Sequence, residues 1–112
     1  MKLELRRIIV FTANLEAMSR FYGEVLGLEP VGSEKGWKDF RAGACALALH
    51  QGEAKPGNRP PKLAFYAPDV AATRAALVRR GAKMGKIMST AHFDLCDGKD
   101  PDGNPFQISS RK

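Results

Sequence analysis

The feature that most constrains the fold of this chain is an internal repeat. Arg7 and Lys62 stand 55 residues apart, and so do the helix-capping candidates Asn14 and Asp69. Each half begins with an apolar segment typical of a strand, continues with a capped segment of helical spacing, and ends with three short strand-like segments. A single half has one helix and a sheet with one apolar face, which it cannot bury alone. The repeat therefore predicts an α+β fold of two tandem βαβββ modules.

The segment between the two copies, Gln51–Pro61, is the strongest cluster of turn-forming residues in the chain, with Gly52, Gly57 and three prolines. We predict a single domain over residues 1–112, with module one at 1–50, a linker at 51–61 and module two at 62–112. Helices are expected between Asn14 and Gly27 and between Asp69 and Gly81. The predicted strands are 3–12, 28–33, 37–41 and 45–50 in module one, and 62–67, 82–88, 92–96 and 105–109 in module two.

Composition narrows the class of protein. The net charge is +6, but the lysines and arginines are scattered and no nucleic-acid-binding motif is present, so nucleic acid is not the expected partner. Binding of an anionic small molecule is a simpler explanation for this positive charge. No apolar run approaches the ~18 residues of a membrane span, and no secretory signal is visible. Cys45 and Cys96 lie in apolar segments, as buried free thiols do, and we expect a cytoplasmic protein.

Several short motifs occur in a recognisable order. Asn14–Glu16 leads to Phe21–Tyr22 and then to Val25–Leu28, Asp69–Val70 begins the second helix, and Asp100–Asn104 forms a turn before the last strand. This order resembles the glyoxalase/bleomycin-resistance/dioxygenase superfamily, also called the vicinal oxygen chelate fold. The resemblance covers almost the whole chain and implies curved mixed sheets around a cleft.

In metal-dependent members of that superfamily, the first and last strands of each module supply the metal ligands, usually two His and two Glu. The matching positions here are Arg7 and Ala48 in module one and Lys62 and Gln107 in module two. Cations cannot ligate a metal at neutral pH, and alanine has no donor atom. The resemblance therefore implies a cleft without a metal cofactor, with a divalent metal as the disfavoured alternative.

Strand alternation predicts which side chains line that cleft. The predicted ligand-binding residues are Arg7, Ile9, Phe11, Ala48, His50, Lys62, Tyr66 and Gln107. We expect the anionic group of a small aromatic or apolar molecule between Arg7 and Lys62. Alternatively, these cations pair with Asp39, Asp94 or a partner subunit. Alternation alone does not fix the faces of Trp37, Asp39, His92 and Asp94.

His50 and His92 are the only histidines and are weak candidates for acid–base catalysis. Three functions remain open. The first is metal-free binding of a small molecule. The second is a metal-dependent lyase, isomerase or dioxygenase of the same superfamily, and the third is a non-catalytic dimeric interaction module. By analogy with the superfamily, a homodimer is expected.

Overall fold

The computed structural model describes every residue from Met1 to Lys112. The chain divides into two compact units, Met1–Lys55 and Pro56–Lys112. Each unit contains one βαβββ module, in the order that the repeat predicts. No helix combines the length and the apolar character that crossing a membrane would require.

Module one has a four-stranded mixed sheet with the strand order β1-β4-β3-β2. Strands β1 and β4 are parallel, and the β4-β3 and β3-β2 pairs are antiparallel. The elements of module one are β1 (Arg7–Thr12), α1 (Leu15–Arg20), β2 (Glu29–Glu34), β3 (Trp37–Ala42) and β4 (Cys45–Gln51). The helical crossover carries the chain from β1 to β2 at the opposite edge of the sheet, and β3 and β4 then return it, so that β4 lies parallel beside β1.

The first helix departs from the predicted form at both ends. Asn14 occupies the N-cap position, but its side chain makes no capping hydrogen bond. Its backbone N–H instead donates to Oγ1 of the buried Thr12 at 2.9 Å. At the other end, α1 continues as a π-helical turn, Phe21–Val25, before Gly27 ends it with a φ of 77°. The wider turn presents Phe21 and Tyr22 to the core, where both are buried.

The core of module one lies between this helix and one face of the sheet. The residues that fill it are Met18, Phe21, Tyr22, Phe40, Leu47 and Leu49, each at most 6% exposed. Gly23 allows the helix to approach the sheet closely, since a Cβ there would lie 3.1 Å from the ring of Phe40. The opposite face of the sheet carries no helix of module one, and we call it the open face.

Module two repeats the plan with the strand order β5-β8-β7-β6. Its elements are β5 (Leu63–Tyr66), α2 (Val70–Arg79), β6 (Lys83–Ser89), β7 (Asp94–Lys99) and β8 (Pro105–Ser109). Asp69 caps α2 as predicted, because its Oδ1 accepts a hydrogen bond from the N–H of Ala72 at 3.0 Å. The core between α2 and the sheet is formed by Val70, Leu77, Cys96, Phe106 and Ile108.

The turn before β8 has the chemistry predicted from its sequence. Asp100 Oδ1 accepts hydrogen bonds from the backbone N–H groups of Asp102 and Asn104, both at 2.9 Å. Asp100 Oδ2 accepts a third from the side-chain amide of Asn104 at 2.9 Å. Gly103 supplies the positive φ, 86°, that the turn requires. The turn therefore fixes where β8 begins.

Two predicted strands differ from the structure by more than one residue at an end. The first strand begins at Arg7 rather than at residue 3, since Leu3 and Leu5 are exposed and outside the ladder. The seventh strand is Asp94–Lys99 rather than 92–96. This second difference matters for the site, because it places Asp97 inside the strand.

Candidate functional site

The open face of module one carries all five of the site residues predicted for that module. Ile9 pairs with Ala48 and Phe11 with His50 across the parallel β1-β4 ladder. Paired residues point to the same side of a sheet, so these four side chains share the face of Arg7. Ile9 and Phe11 are 46% and 50% exposed, whereas Ala48 is fully buried.

The register also settles the face of β3, which alternation left open. Asp39 pairs with Ala48 and Trp37 with His50 across the antiparallel β3-β4 ladder. Trp37 and Asp39 therefore lie on the open face together with Arg7.

A row of contacting rings, with a guanidinium group at one end, runs across this open face. The rings of Phe11 and His50 are 5.3 Å apart, and those of His50 and Trp37 are 5.5 Å apart. The guanidinium carbon of Arg7 lies 5.8 Å from the centre of the Trp37 ring, in a cation–π arrangement. We call Arg7, Trp37, His50 and Phe11 the aromatic row.

Arg7 also forms an ion pair with Asp39. Its Nη2 lies 3.1 Å from Asp39 Oδ2, and its Nε donates to the same oxygen at 3.2 Å. The Asp39 side chain is 11% exposed and that of Arg7 is 37% exposed. The other carboxylate oxygen, Asp39 Oδ1, is buried without a hydrogen-bond partner. The sequence left open whether Arg7 faces a ligand or pairs with an acidic side chain, and in the structure it pairs with Asp39.

Module two holds a related arrangement. Lys62 Nζ donates to Asp97 Oδ1 at 3.2 Å, and the side-chain amide of Gln107 donates to the same oxygen at 3.0 Å. These bonds, with the Gln107 bond as the largest effect, lower the pKa of the Asp97 carboxyl, while partial burial opposes them. Tyr66, the remaining predicted residue of module two, is 56% exposed on β5.

Asp97 is a candidate site residue that the sequence did not predict, because the predicted strand ended at Cys96. Asp94, one of the partners expected for the two cations, lies on the other face of β7, and its N–H donates to Ser110 Oγ at 3.0 Å. A signal was present in the sequence. An apolar residue, an aspartate and a cation alternate in both third strands, as Trp37-x-Asp39-x-Arg41 and as Leu95-x-Asp97-x-Lys99.

The two histidines occupy unlike positions. His50 lies in the aromatic row between two rings. His92 is exposed in the bend before β7, where its backbone N–H donates to Thr90 Oγ1 at 3.2 Å. No hydrogen bond joins either imidazole to an acidic side chain, so neither has the orienting partner that an acid–base histidine usually has.

The four positions that match the superfamily's metal ligands do not form a donor set for a divalent cation. Arg7 and Lys62 are cations held in ion pairs, Ala48 has no donor atom, and the Gln107 amide is directed at Asp97. No group of three or more His, Cys, Asp or Glu side chains is placed to hold a metal ion. The residues present do not fit the metal that the fold implies.

A cavity adjoins the ion pair of each module. In module one its volume is about 210 Å³, and its walls include Arg6, Arg7, Asp39, Arg41 and Ala46. In module two it measures about 370 Å³, with walls that include Arg59, Lys62, Asp97, Lys99 and Pro105. Each cavity thus has three cationic side chains around one aspartate. A third cavity, of about 510 Å³, lies in module one beside Leu15 and Trp37.

Two βαβββ modules with open sheet faces define a protein of the vicinal oxygen chelate fold. The sequence model of the glyoxalase-like domain matches residues 7–109. The chain belongs to this family, as its motifs predicted. No curated protein sequence matches the chain significantly.

Solved structures share the fold at low sequence identity. TnmS3, an antibiotic binding protein from Streptomyces sp. CB03234, is 23% identical with a TM-score of 0.79, covering 96% of this chain and 94% of that one. A glyoxalase/bleomycin resistance protein from the same organism is 23% identical, with a TM-score of 0.73 and coverages of 94% and 98%. Lactoylglutathione lyase from Agrobacterium tumefaciens is 21% identical, with a TM-score of 0.77 and coverages of 95% and 92%. At these identities the likeness establishes the fold alone.

Proposed function

We propose that this protein binds a small aromatic or apolar anion without a metal, on the open face of module one. The observation that carries this proposal is the aromatic row, in which Arg7 stacks on Trp37 beside His50 and Phe11. Flat rings prefer offset or edge contacts with other rings, so a planar ligand is the natural occupant of such a row. Phe11 is half exposed and would bury apolar area on binding.

The charge of the face favours an anion. Arg7 uses Nε and Nη2 on one oxygen of Asp39, which leaves Nη1 without a protein acceptor. A guanidinium beside an aromatic surface is suited to a carboxylate or phosphate, because it donates in a fixed planar geometry. Ligand-binding roles for Lys62, Tyr66 and Gln107 in module two remain predictions.

The alternative functions would leave different signatures. A metal-dependent lyase, isomerase or dioxygenase needs a ligand set that Arg7, Ala48, Lys62 and Gln107 do not supply. A dimeric interaction module would bury the open face against a partner chain, so the protein would be dimeric without any ligand. TnmS3 is an antibiotic binding protein. A binding role of that general kind is compatible with the open face described above.

Thermal shift tests the proposal, because a ligand that binds only the folded state raises the melting temperature. Ni²⁺, Zn²⁺, Mn²⁺ and Fe²⁺ are titrated first, followed by benzoate, naphthoate and phenyl phosphate. At a ligand concentration of about ten times Kd, the stabilisation is about 1.4 kcal/mol. For a chain of this size, that corresponds to an increase of about 6 °C or more.

We expect a shift with an aromatic anion and none with the metals. Arg7→Met should abolish the anion shift, and Arg79→Met, which removes the same charge from the exposed end of α2, should not. A stoichiometric metal response would favour the enzyme. The absence of any response to the anions, combined with a stable dimer in light scattering, would favour the interaction module.

A further inference from the structure

The cavities of the two modules differ in how their positive charges are paired. In module one, each of the three arginines in the cavity walls forms an ion pair with an acidic side chain. The three pairs, with separations of 3.8 Å, 3.1 Å and 3.2 Å, are Arg6–Glu4, Arg7–Asp39 and Arg41–Glu29. The positive charge around the cavity of module one is therefore balanced within the protein.

In module two the cations outnumber the acids. The walls of its cavity include Arg59, Lys62 and Lys99, and the only acidic side chain among them is Asp97. Lys62 Nζ donates to Asp97 Oδ1 at 3.2 Å. The side chains of Arg59 and Lys99 form no hydrogen bond or ion pair within the protein. Two positive charges at this cavity therefore have no acidic partner.

Asp97 is already fully engaged. Its Oδ1 accepts the Lys62 ammonium at 3.2 Å and the side-chain amide of Gln107 at 3.0 Å. The Gln107 bond first of all, and then Lys62 and Lys99, lower the pKa of this carboxyl, while partial burial opposes them. Asp97 is therefore ionised at neutral pH, and it still supplies only one negative charge to three cations.

The register of the sheet concentrates positive charge on this face. Asp97 and Lys99 are two residues apart on β7, so their side chains point to the same side. Lys99 pairs with Pro105 of β8 and with Lys83 of β6, which adds a further cation beside the cavity. The carboxylate of Asp100 is buried and accepts the hydrogen bonds of the turn before β8. Like charges at close range repel each other, so an anion bound among them is favoured.

The cationic groups of this cavity are accessible to a ligand. The side chain of Lys62 is 42% exposed, and Arg59 and Lys99 are exposed as well. The cavity volume of about 370 Å³ lies within the range of about 300–1,000 Å³ that small-molecule sites have. Pro60 and Pro105 contribute apolar wall. The cavity thus suits a compact anionic group attached to a small organic body.

We infer that the cavity of module two is a second anion site, which takes the phosphate group of a small phosphate monoester between Arg59, Lys62 and Lys99. A phosphate monoester carries about two negative charges at neutral pH, which match the two unpaired cations. The guanidinium of Arg59 can donate two parallel hydrogen bonds to phosphate oxygens, and the ammonium of Lys99 acts as a point charge. This site goes beyond the proposed function, because it uses no residue of the aromatic row.

NMR titration of the backbone amides with glycerol phosphate and with glycerate tests the inference. The two compounds have similar bodies and no aromatic ring, but glycerate carries a single negative charge. A hydrogen bond between charged groups corresponds to about tenfold or more in affinity, so we expect glycerol phosphate to bind about tenfold more tightly than glycerate. The amide signals that shift and saturate should include those of Gly98 and Lys99, in the cavity wall.

Substitutions at the unpaired cations locate the site. Lys99→Met and Arg59→Met should each weaken glycerol phosphate binding by about tenfold, whereas Lys99→Arg keeps the charge and should keep most of the affinity. The matched control is Arg41→Met, because Arg41 has the position in β3 that Lys99 has in β7 and is already paired with Glu29. It should leave glycerol phosphate binding unchanged. Both cations of module two are exposed, and circular dichroism verifies that each variant is folded.

The outcomes distinguish this inference from the proposed function. Glycerol phosphate that binds no more tightly than glycerate, or that binds unchanged to Lys99→Met and to Arg59→Met, would overturn the inference. Shifts confined to module one would also overturn it. None of these results bears on the aromatic row. Conversely, failure of the aromatic anions to bind would overturn the proposed function and leave this second site standing.

Discussion

The two ion pairs provide a direct test of how burial sets the strength of an electrostatic interaction. Arg7–Asp39 and Lys62–Asp97 have nearly the same separation, 3.1 Å and 3.2 Å. Their surroundings differ, since the side chains are 37% and 11% exposed in the first pair and 42% and 47% exposed in the second. We predict that replacing Arg7 by methionine destabilises the protein considerably more than the same replacement of Lys62.

The expected loss of stability follows from the exposed fraction of the side chains in each ion pair. At about 3 Å, Coulomb attraction is about 5 kcal/mol for an effective dielectric constant of about 20 and about 1.3 kcal/mol in water. Removing one partner of a fully buried pair costs about 3–5 kcal/mol, because a buried charge is left unpaired. Since Arg7 is more than a third exposed, we reduce its value to about 2 kcal/mol. For Lys62, a surface pair, we expect less than about 1 kcal/mol.

Urea unfolding followed by far-UV circular dichroism measures both variants under the same conditions. Methionine keeps an unbranched apolar stem, so the comparison isolates the charge rather than the packing of the side chain. In the double variant Arg7→Met/Asp39→Asn, the buried charge is absent, and its destabilisation should be smaller than the sum of the two single changes by about 1 kcal/mol. Equal destabilisation by Arg7→Met and Lys62→Met would refute the reasoning.

Three further predictions concern module two. Gly98→Ala should destabilise it by about 1–3 kcal/mol in urea unfolding, because the new Cβ would lie 2.7 Å from the buried ring of Phe106. Burial raises the pKa of the Cys96 thiol, so mass spectrometry should find it unmodified by thiol reagents in the folded protein at neutral pH. Gln107→Ala should raise the pKa of Asp97, as NMR titration of the carboxyl carbon will show.

The direction of the Asp97 pKa shift determines how the stability of the protein changes with pH. Its pKa in the folded protein lies below the ordinary carboxyl value of 3.8. The stability that Asp97 contributes is therefore present above that ordinary value and is lost as the pH falls through the lower folded value. Removing the Gln107 bond brings the pKa of Asp97 in the folded protein closer to its ordinary value. Part of the stability that Asp97 contributes is therefore lost at every pH above these two pKa values.

The sequence predicted the fold well, because the repeat, the Asp69 cap and the turn at Asp100 are local features with a fixed spacing. It did not predict the π-helical turn Phe21–Val25, since spacing of apolar residues does not distinguish one helical hydrogen-bond pattern from another. The first strand is shorter than predicted. Apolar residues before Arg7 have strand propensity but no neighbouring strand with which to pair.

The site was predicted less completely. Alternation placed Arg7, Ile9 and Phe11 on one face correctly, because a strand has a period of two. It could not assign Asp39 to that face, since this depends on the register between β3 and β4. Asp97 was not predicted because the predicted strand ended at residue 96. Residue propensities identify the end of a strand less well than its middle.

The fluorescence of Trp37 tests most directly whether a small aromatic anion binds the open face of module one without a metal. Trp37 is the only tryptophan in the chain and lies in the aromatic row, so its fluorescence reports on this face. The most direct measurement is a titration of Trp37 fluorescence with aromatic carboxylates in the presence of EDTA. Saturable quenching that EDTA does not alter, and that Arg7→Met abolishes, is the predicted result. Quenching that appears only after a divalent metal is added would contradict the claim.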